Sequence, residues 1–461
     1  MPIHLHLPLL LSVHGLIVAL GLLTYIVTTH SLQQRRSPTA AISWVLTIAL
    51  IPYVGLPLYL FFGTRKLAPH GRHALPKRPK QALNSDAAWP RLLAASMGQP
   101  PVAGYRDLRI HAEGKHALQS LWELIDGAEH ELVLCTFIIG RDAIGRELIA
   151  RLIRKAKAGV KVRLMLDGVG RVMGGSINLR AVRAAGVQVA LHGRILHMPF
   201  RSHANMRNHR KLVVADGARL WCGGRNFATE YFGGDGKHEP WQDLSFDLEG
   251  PLAAQARELF ERDWAFATGS PRVEGTRVAR SARAPFAQVI ASGPDQVDDT
   301  VHDLLVTACF KARKRIIAVT PYFVPTYALL KALSLAARQG ITVDLVLPRS
   351  SNHWMADFAR HRGLRELATA GARIWLAPYM LHAKAVVIDD SVALAGSVNL
   401  DSRSLLLNYE LMVAFYAGAD VRRFTRFADK HRQQSVRYEA HKAGLLRDLT
   451  EGLVLWLAFQ L

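Results

Sequence analysis

A histidine–lysine–aspartate motif that occurs twice with the same spacing constrains this chain more than any other feature. The pattern H-x-K-x-x-x-x-D is formed by His209, Lys211 and Asp216, and again by His382, Lys384 and Asp389. Each copy is followed at the same distance by G-[GS]-x-N, which ends at Asn226 in the first copy and Asn399 in the second. The matching positions share one offset of 173 residues (382 − 209 = 173 and 399 − 226 = 173). Two copies in register predict a duplicated structural unit whose halves together form one site.

The residue types in the motif indicate phosphate chemistry. Alternate residues of a strand face the same side, so each histidine should point the same way as its lysine. An imidazole can act as a nucleophile or an acid near neutral pH, and a fixed ammonium can hold a phosphate oxygen. Asn226 and Asn399 can donate amide hydrogen bonds to the same anion. The motif aspartates complete the predicted catalytic set, although their turn positions favour a role in shaping the hairpins.

Two further carboxylates are candidates for orienting the histidines. A histidine nucleophile works best when a carboxylate fixes its other ring nitrogen. Asp243 and Glu410 each begin an apolar, strand-like run downstream of a motif. Either residue could face the site, or could be an ordinary carboxylate at the end of a strand, and spacing alone does not decide between these roles.

Helical and strand-like segments alternate from about residue 107, which is typical of an α/β sheet covered by helices. The order of segments in the first half recurs in the second. The matching helices are Leu118–Ile125 with Thr300–Ala312 and Ile144–Ala158 with Tyr327–Arg338, and the matching strands are Leu132–Ile139 with Arg315–Thr320 and Val160–Leu166 with Ile341–Leu347. We therefore predict two pseudo-symmetric α/β domains, residues 107–270 and 271–440, with mixed sheets flanked by helices, and a C-terminal helix at 441–461.

Two uncharged apolar runs stand near the N-terminus, at residues 7–29 and 40–62. Each has about the 20 residues that cross a bilayer as a helix, so residues 1–63 are predicted to form a transmembrane helical hairpin. A cleaved signal peptide is disfavoured, because the first run lacks a basic start and a cleavage site and is followed by the second run. Two spans would leave both chain ends on one side of the membrane. A basic cluster in the linker at 64–106 predicts that this side is the cytoplasm.

Composition narrows the choice of partner and cofactor. The 58 Lys and Arg residues outnumber the 37 Asp and Glu residues, giving a formal charge of +21 that attracts nucleic acid or an anionic membrane surface. Cys135, Cys222 and Cys309 lie far apart in apolar runs, which predicts buried thiols rather than disulfides. No cysteine–histidine cluster has the spacing of a zinc site, so no metal is predicted.

With these motifs the chain resembles the phospholipase D superfamily, and over nearly its whole length it resembles the bacterial cardiolipin synthases. Further strings that support the likeness are Ile51-Pro-Tyr-Val-Gly55, Phe260-x-x-Asp263-Trp264, Thr320-Pro-Tyr-Phe-Val-Pro325, Asn399-Leu-Asp401-x-Arg403-Ser404 and Asn408-x-Glu410. The resemblance implies a phospholipase D-like fold for both domains and a multi-pass protein of the bacterial inner membrane. It also implies transfer of a phosphatidyl group from one phosphatidylglycerol to another, which gives cardiolipin and glycerol.

The resemblance also implies a role for each candidate residue. His209 would be the nucleophile that forms a phosphohistidine, and His382 the acid and base. Asp243 and Glu410 match the positions that orient the histidines, and the lysines and asparagines of the motifs would hold the phosphate. No cofactor is required.

Two alternatives remain at the level of sequence. A phospholipase D that hydrolyses phospholipid to phosphatidic acid would have the same motifs, because water and alcohol compete for one intermediate. A phosphodiesterase nuclease would suit the charge of +21, but a membrane hairpin argues against nucleic acid as the partner. The pseudo-symmetry leaves the choice of nucleophile open. Arg225 and the stretch 233–239 depart from the family pattern and put the preferred acceptor in doubt.

Overall fold

The computed structural model describes residues 6–31, 38–67, 88–175, 177–193, 205–233, 239–271 and 285–441, together with positions 444, 447, 450–452 and 454. Three helices form the N-terminal part: α1 (His6–Ser31), α2 (Pro38–Leu50) and α3 (Pro52–Phe62). Helix α1 has 26 residues, which at 1.5 Å per residue is about 39 Å and enough to cross a bilayer. It contains the one segment in the described part of the chain, Val13–His30, that is long and apolar enough to span a membrane.

The second apolar run does not form the single transmembrane helix that we predicted. It breaks at Ile51, which has φ −134° and ψ 60° and precedes a proline that disfavours helical backbone before it. Helices α2 and α3 have 13 and 11 residues, about 20 and 17 Å, and each is shorter than the roughly 30 Å of a hydrocarbon core. One long helix is therefore replaced by two short ones.

Helix α3 folds back along α2. The rings of Trp44 and Tyr59 are 15 residues apart in the chain (59 − 44 = 15), yet their centroids are 5.3 Å apart. The hydroxyls of Tyr59 and Thr28 are 2.6 Å apart, so the end of α3 lies beside the end of α1. The start of α3 lies beside the first half of α1, where the rings of His14 and Tyr53 are 5.8 Å apart. The helical pair α2–α3 therefore returns to the end of α1 from which it started.

The first α/β repeat follows a short helix and strand, α4 (Trp89–Ser96) and β1 (Ala103–Gly104). Its elements in chain order are β2 (Arg106–His111), α5 (Gly114–Asp126), β3 (Glu131–Thr136), α6 (Ala143–Lys157), β4 (Lys161–Asp167), α7 (Gly168–Met173), α8 (Leu179–Ala184), β5 (Gln188–His192), β6 (Leu212–Ala215), β7 (Arg219–Gly223), a 3₁₀ turn at Thr229–Tyr231, β8 (Ser245–Glu249) and α9 (Pro251–Thr268). The strands form one sheet in the order β2-β8-β7-β6-β3-β4-β5, in which β3, β4 and β5 are parallel.

The second repeat has the same plan. Its elements are β9 (Phe286–Ser292), α10 (Thr300–Lys311), β10 (Arg315–Val319), β11 (Phe323–Val324), α11 (Tyr327–Arg338), β12 (Thr342–Pro348), α12 (Trp354–Thr369), β13 (Arg373–Ala377), β14 (Ala385–Ile388), β15 (Val392–Gly396), β16 (Leu400–Asp401), α13 (Ser402–Leu406), β17 (Glu410–Phe415), α14 (Gly418–Gln433) and β18 (Val436–Arg437). The order β9-β17-β15-β14-β10-β12-β13 in its sheet matches the first sheet strand for strand. The predicted fold of two pseudo-symmetric α/β domains with mixed sheets is confirmed.

The two repeats share one hydrophobic core. Their sheets face each other across a cluster of buried residues that includes Cys135 and Phe246 from the first repeat and Phe415 and Phe424 from the second. The rings of Phe246 and Phe415 meet edge to face at 5.2 Å. The two domains are therefore halves of one packed body. Cys135, Cys222 and Cys309 are buried free thiols.

The predicted linker at 64–106 is only partly a linker. Residues 68–87, which hold most of the predicted basic cluster, lie outside the described residues. Helix α4 buries Ala94 in the core of the second repeat, and β1 pairs with β9 at Ala103–Ala287. Apolar packing and a strand partner therefore assign residues 89–104 to the second repeat.

The segment that follows α3 and the segment that follows the second repeat both contact the second repeat. Just after α3, the buried Lys66 donates to the carbonyls of Gly293 and Asp298, each at 3.1 Å, and pairs with Asp299 at 3.0 Å. Arg65 pairs with the same carboxylate. In the region predicted as a C-terminal helix, the described positions 447, 450–452 and 454 are helical. There Glu451 is buried and pairs with Arg365 of α12 at 2.6 Å.

Candidate active site

The two motifs meet at one edge of the paired sheets. His209 and Lys211 directly precede β6, and His382 and Lys384 directly precede β14. Both strands run antiparallel to the central strand of their sheet, so they start where β3 and β10 end. The histidines therefore lie at the carboxyl ends of the parallel strands, the edge at which ligands usually bind in α/β sheets.

Each motif is held in place by the backbone of the other repeat. The amide of His209 donates to the carbonyl of Tyr409 at 2.9 Å, and the amide of Tyr409 donates to Arg207 at 2.9 Å. In the same way, the amide of His382 donates to the carbonyl of Gln242 at 2.6 Å. These contacts place the residue that follows Tyr409, Glu410, beside the first motif, and the residue that follows Gln242, Asp243, beside the second.

The side chains complete this crossed arrangement. Nδ1 of His209 lies 3.0 and 3.1 Å from the two carboxylate oxygens of Glu410. Nδ1 of His382 lies 2.7 Å from Oδ2 of Asp243. Each histidine is therefore oriented by a carboxylate from the other repeat. This leaves Nε2 of His209 for chemistry, while Nζ of Lys384 lies 2.6 and 3.1 Å from Nδ1 and Nε2 of His382. The structure brings both candidate carboxylates into the site, and neither repeat has a complete site alone.

Both carboxylates are kept ionised although they are fully buried. Burial acts to raise the pKa of Glu410, but His209 and Lys211 outweigh it and the pKa is lowered. Ser397 and Ser404 donate to the two oxygens of Glu410. The pKa of Asp243 is likewise lowered, because Lys384 and His382 outweigh the effect of burial. An ionised carboxylate can stabilise positive charge that develops on its histidine.

The lysines share one electrostatic environment. Burial lowers the pKa of Lys211 to about 8, against the attraction of Glu410 and Asp243. Burial, with a contribution from Lys211, lowers the pKa of Lys384 to about 7. Lys211 therefore also contributes to the lowered pKa values of Lys384 and His382 in the other motif. Positive charge in a site of this kind favours a negatively charged ligand.

Aromatic rings surround the histidines. Phe137 lies edge-on to His209 at 5.3 Å. Tyr231, Trp241 and Tyr322 surround His382 at centroid distances of 5.1, 5.5 and 6.4 Å. The rings limit access, because the side chain of His209 is 14% exposed and that of His382 is 5% exposed. Burial lowers the pKa of both histidines, to about 3 for His382.

The two asparagines are both buried, in different environments. Asn226 is buried, donates to the hydroxyl of Tyr231 at 2.8 Å and accepts from the amide of Ile138. The amide oxygen of Asn399 is buried and has no hydrogen-bond partner among the described residues. Their role as hydrogen-bond donors to the phosphate of the substrate stays a prediction.

Arg225 has a structural role that its position in the motif did not reveal. It is fully buried, and its guanidinium donates to the carbonyls of Tyr231, His111, Ala112 and Asp243. It therefore fastens the loop before β8 that presents Asp243. Most of the other departure from the family pattern, residues 234–238, lies outside the described residues.

The motif aspartates lie at the opposite ends of their strands from the histidines. Asp216 has φ 52° and accepts from the backbone amides of Glu129, His130 and Glu131. Asp389 has φ 49° and accepts from the amides of Arg313, Lys314 and Arg315. Each carboxylate thus fixes the start of the central strand. This corrects the inclusion of Asp216 and Asp389 in the catalytic set, because neither can contact a ligand bound at the histidines.

Some residues that shape the site were not singled out from the sequence. Arg210, the middle residue of the first motif, is fully buried, pairs with Asp263 and donates to the carbonyls of Glu410 and Ser292 at 3.0 and 3.2 Å. The sequence signal that could have identified Arg210 is its counterpart in the second motif, Ala383, a small residue typical of a buried position. Ser397 was visible only as the variable letter of G-[GS]-x-N.

The sequence and the fold were compared with those of known proteins. The family model described as cardiolipin synthase, PLD-like domain, matches residues 121–264 and 305–432, and one described as phospholipase D-nuclease N-terminal matches residues 17–63. Cardiolipin synthase A of Pseudomonas putida (strain W619) is 31% identical over 421 residues, 86% of each chain. Cardiolipin synthase A of Pseudomonas aeruginosa (strain UCBPP-PA14) is 30% identical over 419 residues, 86% of this chain and 85% of its own.

Among solved structures, phosphatidylserine synthase of Haemophilus influenzae Rd KW20 matches with a TM-score of 0.60 and 13% identity. The match covers 81% of this chain and 97% of that one. At this identity the likeness concerns the fold.

Changing the turn aspartates should cost stability and not chemistry. Asp216→Ala removes three hydrogen bonds and leaves a left-handed backbone position without a residue that favours it, so we expect a loss of about 1–3 kcal/mol in unfolding free energy. Asp216→Asn keeps an acceptor and tolerates positive φ, so it should lose less. The measurements are thermal unfolding in detergent and the turnover of the folded fraction. A drop of turnover without a drop in stability would contradict the structural assignment.

Proposed function

Because the chain belongs to the cardiolipin synthases with phospholipase D-like domains, we propose that it transfers the phosphatidyl group of one phosphatidylglycerol to a second phosphatidylglycerol, with cardiolipin and glycerol as products. The chain is thus a phosphatidyltransferase of the phospholipase D type that acts on phospholipid. The observation that supports this most directly is the crossed pairing of His209 with Glu410 and of His382 with Asp243. Two oriented histidines are what a two-step transfer through a covalent intermediate requires.

In the first step, Nε2 of neutral His209 attacks the phosphorus atom of the donor lipid. The bond from phosphorus to the glycerol oxygen breaks, and His382 gives that oxygen a proton, so glycerol leaves. The phosphorylated ring of His209 acquires positive charge, which Glu410 stabilises through Nδ1. We assign His209 as the nucleophile because its side chain is more exposed than that of His382. Lys211, Lys384, Asn226 and Asn399 would hold the phosphoryl oxygens.

In the second step, the acceptor lipid takes the place of glycerol. His382 removes the proton from a hydroxyl of the acceptor headgroup, whose oxygen attacks the phosphorus atom. The bond from phosphorus to His209 breaks, which yields cardiolipin and restores both histidines. General acid–base catalysis of this kind typically contributes about 10²–10⁴-fold. No proton is gained or lost over the cycle.

His382 must take up a proton from solvent when the substrate binds. In the empty site, burial and Lys384 lower the pKa of His382 to about 3, so the ring is neutral at physiological pH. The negative charge of a lipid phosphate next to the ring favours its charged form. Binding of the donor lipid therefore prepares the acid that the first step uses.

The products of full-length enzyme reconstituted with labelled phosphatidylglycerol test the reaction. We expect cardiolipin and free glycerol in equal amounts. His209→Ala and His382→Ala should each reduce turnover by at least about 10³-fold, since each removes a group used in both steps. Exposed Lys331→Ala is the matched control and should leave turnover unchanged. Phosphatidic acid as the sole lipid product would indicate hydrolysis instead, and cleavage of an oligonucleotide without lipid products would overturn the proposal.

The lysines predict how the reaction depends on pH. A lysine holds a phosphate only while it is protonated, and the pKa values of Lys384 and Lys211 are lowered to about 7 and about 8. We therefore expect kcat/KM to fall as the pH rises through this range, since kcat/KM reports the free enzyme. The fall in kcat should occur at higher pH, because bound phosphate stabilises both ammonium groups. A kcat/KM that stays constant up to pH 9 would contradict this assignment.

The N-terminal helices indicate membrane association, and we propose a definite topology for them. Helix α1 crosses the bilayer, while α2 and α3 enter it and return to the same side. Arg35 and Arg36 then lie on the same side as Arg65 and Lys66, which makes that side the cytoplasm by the positive-inside rule. The catalytic part is cytoplasmic, as predicted for a bacterial inner membrane, but the N-terminus lies on the opposite side.

Labelling with a membrane-impermeant maleimide distinguishes this topology from two full spans. A cysteine introduced as His4→Cys should react in intact cells stripped of their outer membrane, because the proposed topology puts the chain before α1 outside the cytoplasm. His73→Cys, in the cytoplasmic segment, should react only after lysis. The native cysteines are buried and give little background. Labelling of position 4 only after lysis would support two spans.

A further inference from the structure

Two pairs of exposed apolar side chains flank the active site at equivalent places in the two repeats. Val172 and Met173 end α7, directly after β4, and are 61% and 58% exposed. Trp354 and Met355 begin α12, shortly after β12, and are 74% and 46% exposed. Both pairs follow parallel strands whose carboxyl ends form the edge with the histidines. We call these four residues the apolar lips.

Next to each lip, a neighbouring residue of the chain lies against an aromatic residue that contacts one of the two histidines. Helix α7 lies against the segment of Phe137 so closely that a Cβ on Gly170 would come 1.9 Å from the carbonyl oxygen of Phe137. The ring of Phe137 contacts His209 at 5.3 Å.

The second lip has the same relation to its histidine. His353, next to Trp354, stacks edge to face on Tyr322 at 5.1 Å, and Tyr322 faces His382 at 6.4 Å. One lip therefore lies near each histidine, at the same edge of the paired sheets.

The membrane helices join the body at the same edge. Strand β9 ends at Ser292, which pairs with Glu410 in the site. The loop after it receives the segment that follows α3: Lys66 donates to Gly293, and the amide of Leu67 donates to Pro294 at 2.9 Å. Few residues separate the end of α3 from this contact, so this edge of the second repeat is held close to the membrane helices.

The charge of this edge suits anionic lipid. Arg141, which follows β3, and Arg349, which follows β12, are exposed beside the lips. Basic side chains at a membrane surface attract anionic headgroups, and large apolar side chains beside them insert at the boundary of headgroups and acyl chains.

From this juxtaposition we propose that the active-site edge docks on the anionic bilayer surface, with Val172, Met173, Trp354 and Met355 inserted around the mouth. A phospholipid then reaches the histidines by moving up between the lips without passing through water. This docking surface rests on the proposed function, because it takes a phospholipid as the substrate. It adds the part of the enzyme that contacts the membrane from which the phospholipid comes.

Depth-dependent quenching tests the contact independently of catalysis. Full-length enzyme in the His209→Ala background is labelled with an environment-sensitive fluorophore at Met173→Cys or Met355→Cys and reconstituted in vesicles that contain phosphatidylglycerol and a lipid with a quencher near the headgroup. We expect quenching at both lips. Phe310→Cys is the matched control, because Phe310 is 59% exposed at the end of α10, on the opposite edge. No quenching at the lips, or equal quenching at Phe310, would overturn the proposal.

Activity provides the second readout. The double variants Val172→Ser/Met173→Ser and Trp354→Ser/Met355→Ser should lower turnover of vesicle lipid on the order of 10-fold, since each removes apolar area from the membrane contact. Turnover of a short-chain, water-soluble phosphatidylglycerol in detergent should not change, and Phe310→Ser should leave both activities unchanged. Equal losses on both substrates, or no loss on vesicles, would contradict the proposal. Wild-type enzyme that makes no cardiolipin but shows quenching at the lips would refute the function and leave the docking surface standing.

Discussion

The crossed pairing of histidine and carboxylate is the interaction on which the rest of the structure depends. His209 meets Glu410 and His382 meets Asp243, so each repeat supplies the histidine of one pair and the carboxylate of the other. Buried charges of this kind are tolerated only when they are paired and hydrogen-bonded. The shared core, the backbone bonds between Tyr409 and the first motif, and the serines around Glu410 all serve to bring these charges together and keep water away from them.

The surrounding residues are organised around the same requirement. Arg210 joins the first motif to the carbonyl of Glu410 and to Asp263, which ties the strand of one repeat to that of the other. The turn aspartates act at a distance, because each fixes the start of the strand that lies beside β6 or β14. The proposed catalytic residues therefore occupy one end of each hairpin and the turn aspartates the other. The motif combines both kinds of residue because its histidine and lysine precede the first strand of the hairpin and its aspartate lies at the turn.

Much of this was predictable from local patterns. The repeat, the strands around each motif and the helices between them follow from periodicity and spacing, and Asp243 and Glu410 could be named as candidates. Their crossed assignment could not, because it joins residues 139 and 201 positions apart and depends on how two sheets pack. The fold-back at Ile51 was missed because hydropathy measures how apolar a segment is and not its direction. The structural role of Arg225 was misjudged and that of Arg210 was overlooked. Both guanidinium groups are buried against carbonyls from distant loops, which the sequence around each arginine does not reveal.

The docking of Lys66 on the loop of Gly293 and Asp299 limits what the enzyme can reach. With so short a connection to α3, the catalytic body cannot swing toward another membrane or toward the far side of its own. A lipid donor and a lipid acceptor must then arrive from the same leaflet by lateral diffusion. The rate of encounter would depend on the mole fraction of substrate in that leaflet rather than on its amount per volume of cell. Dilution of the membrane with other lipids would then slow a reaction between two lipid molecules more strongly than a reaction that uses one.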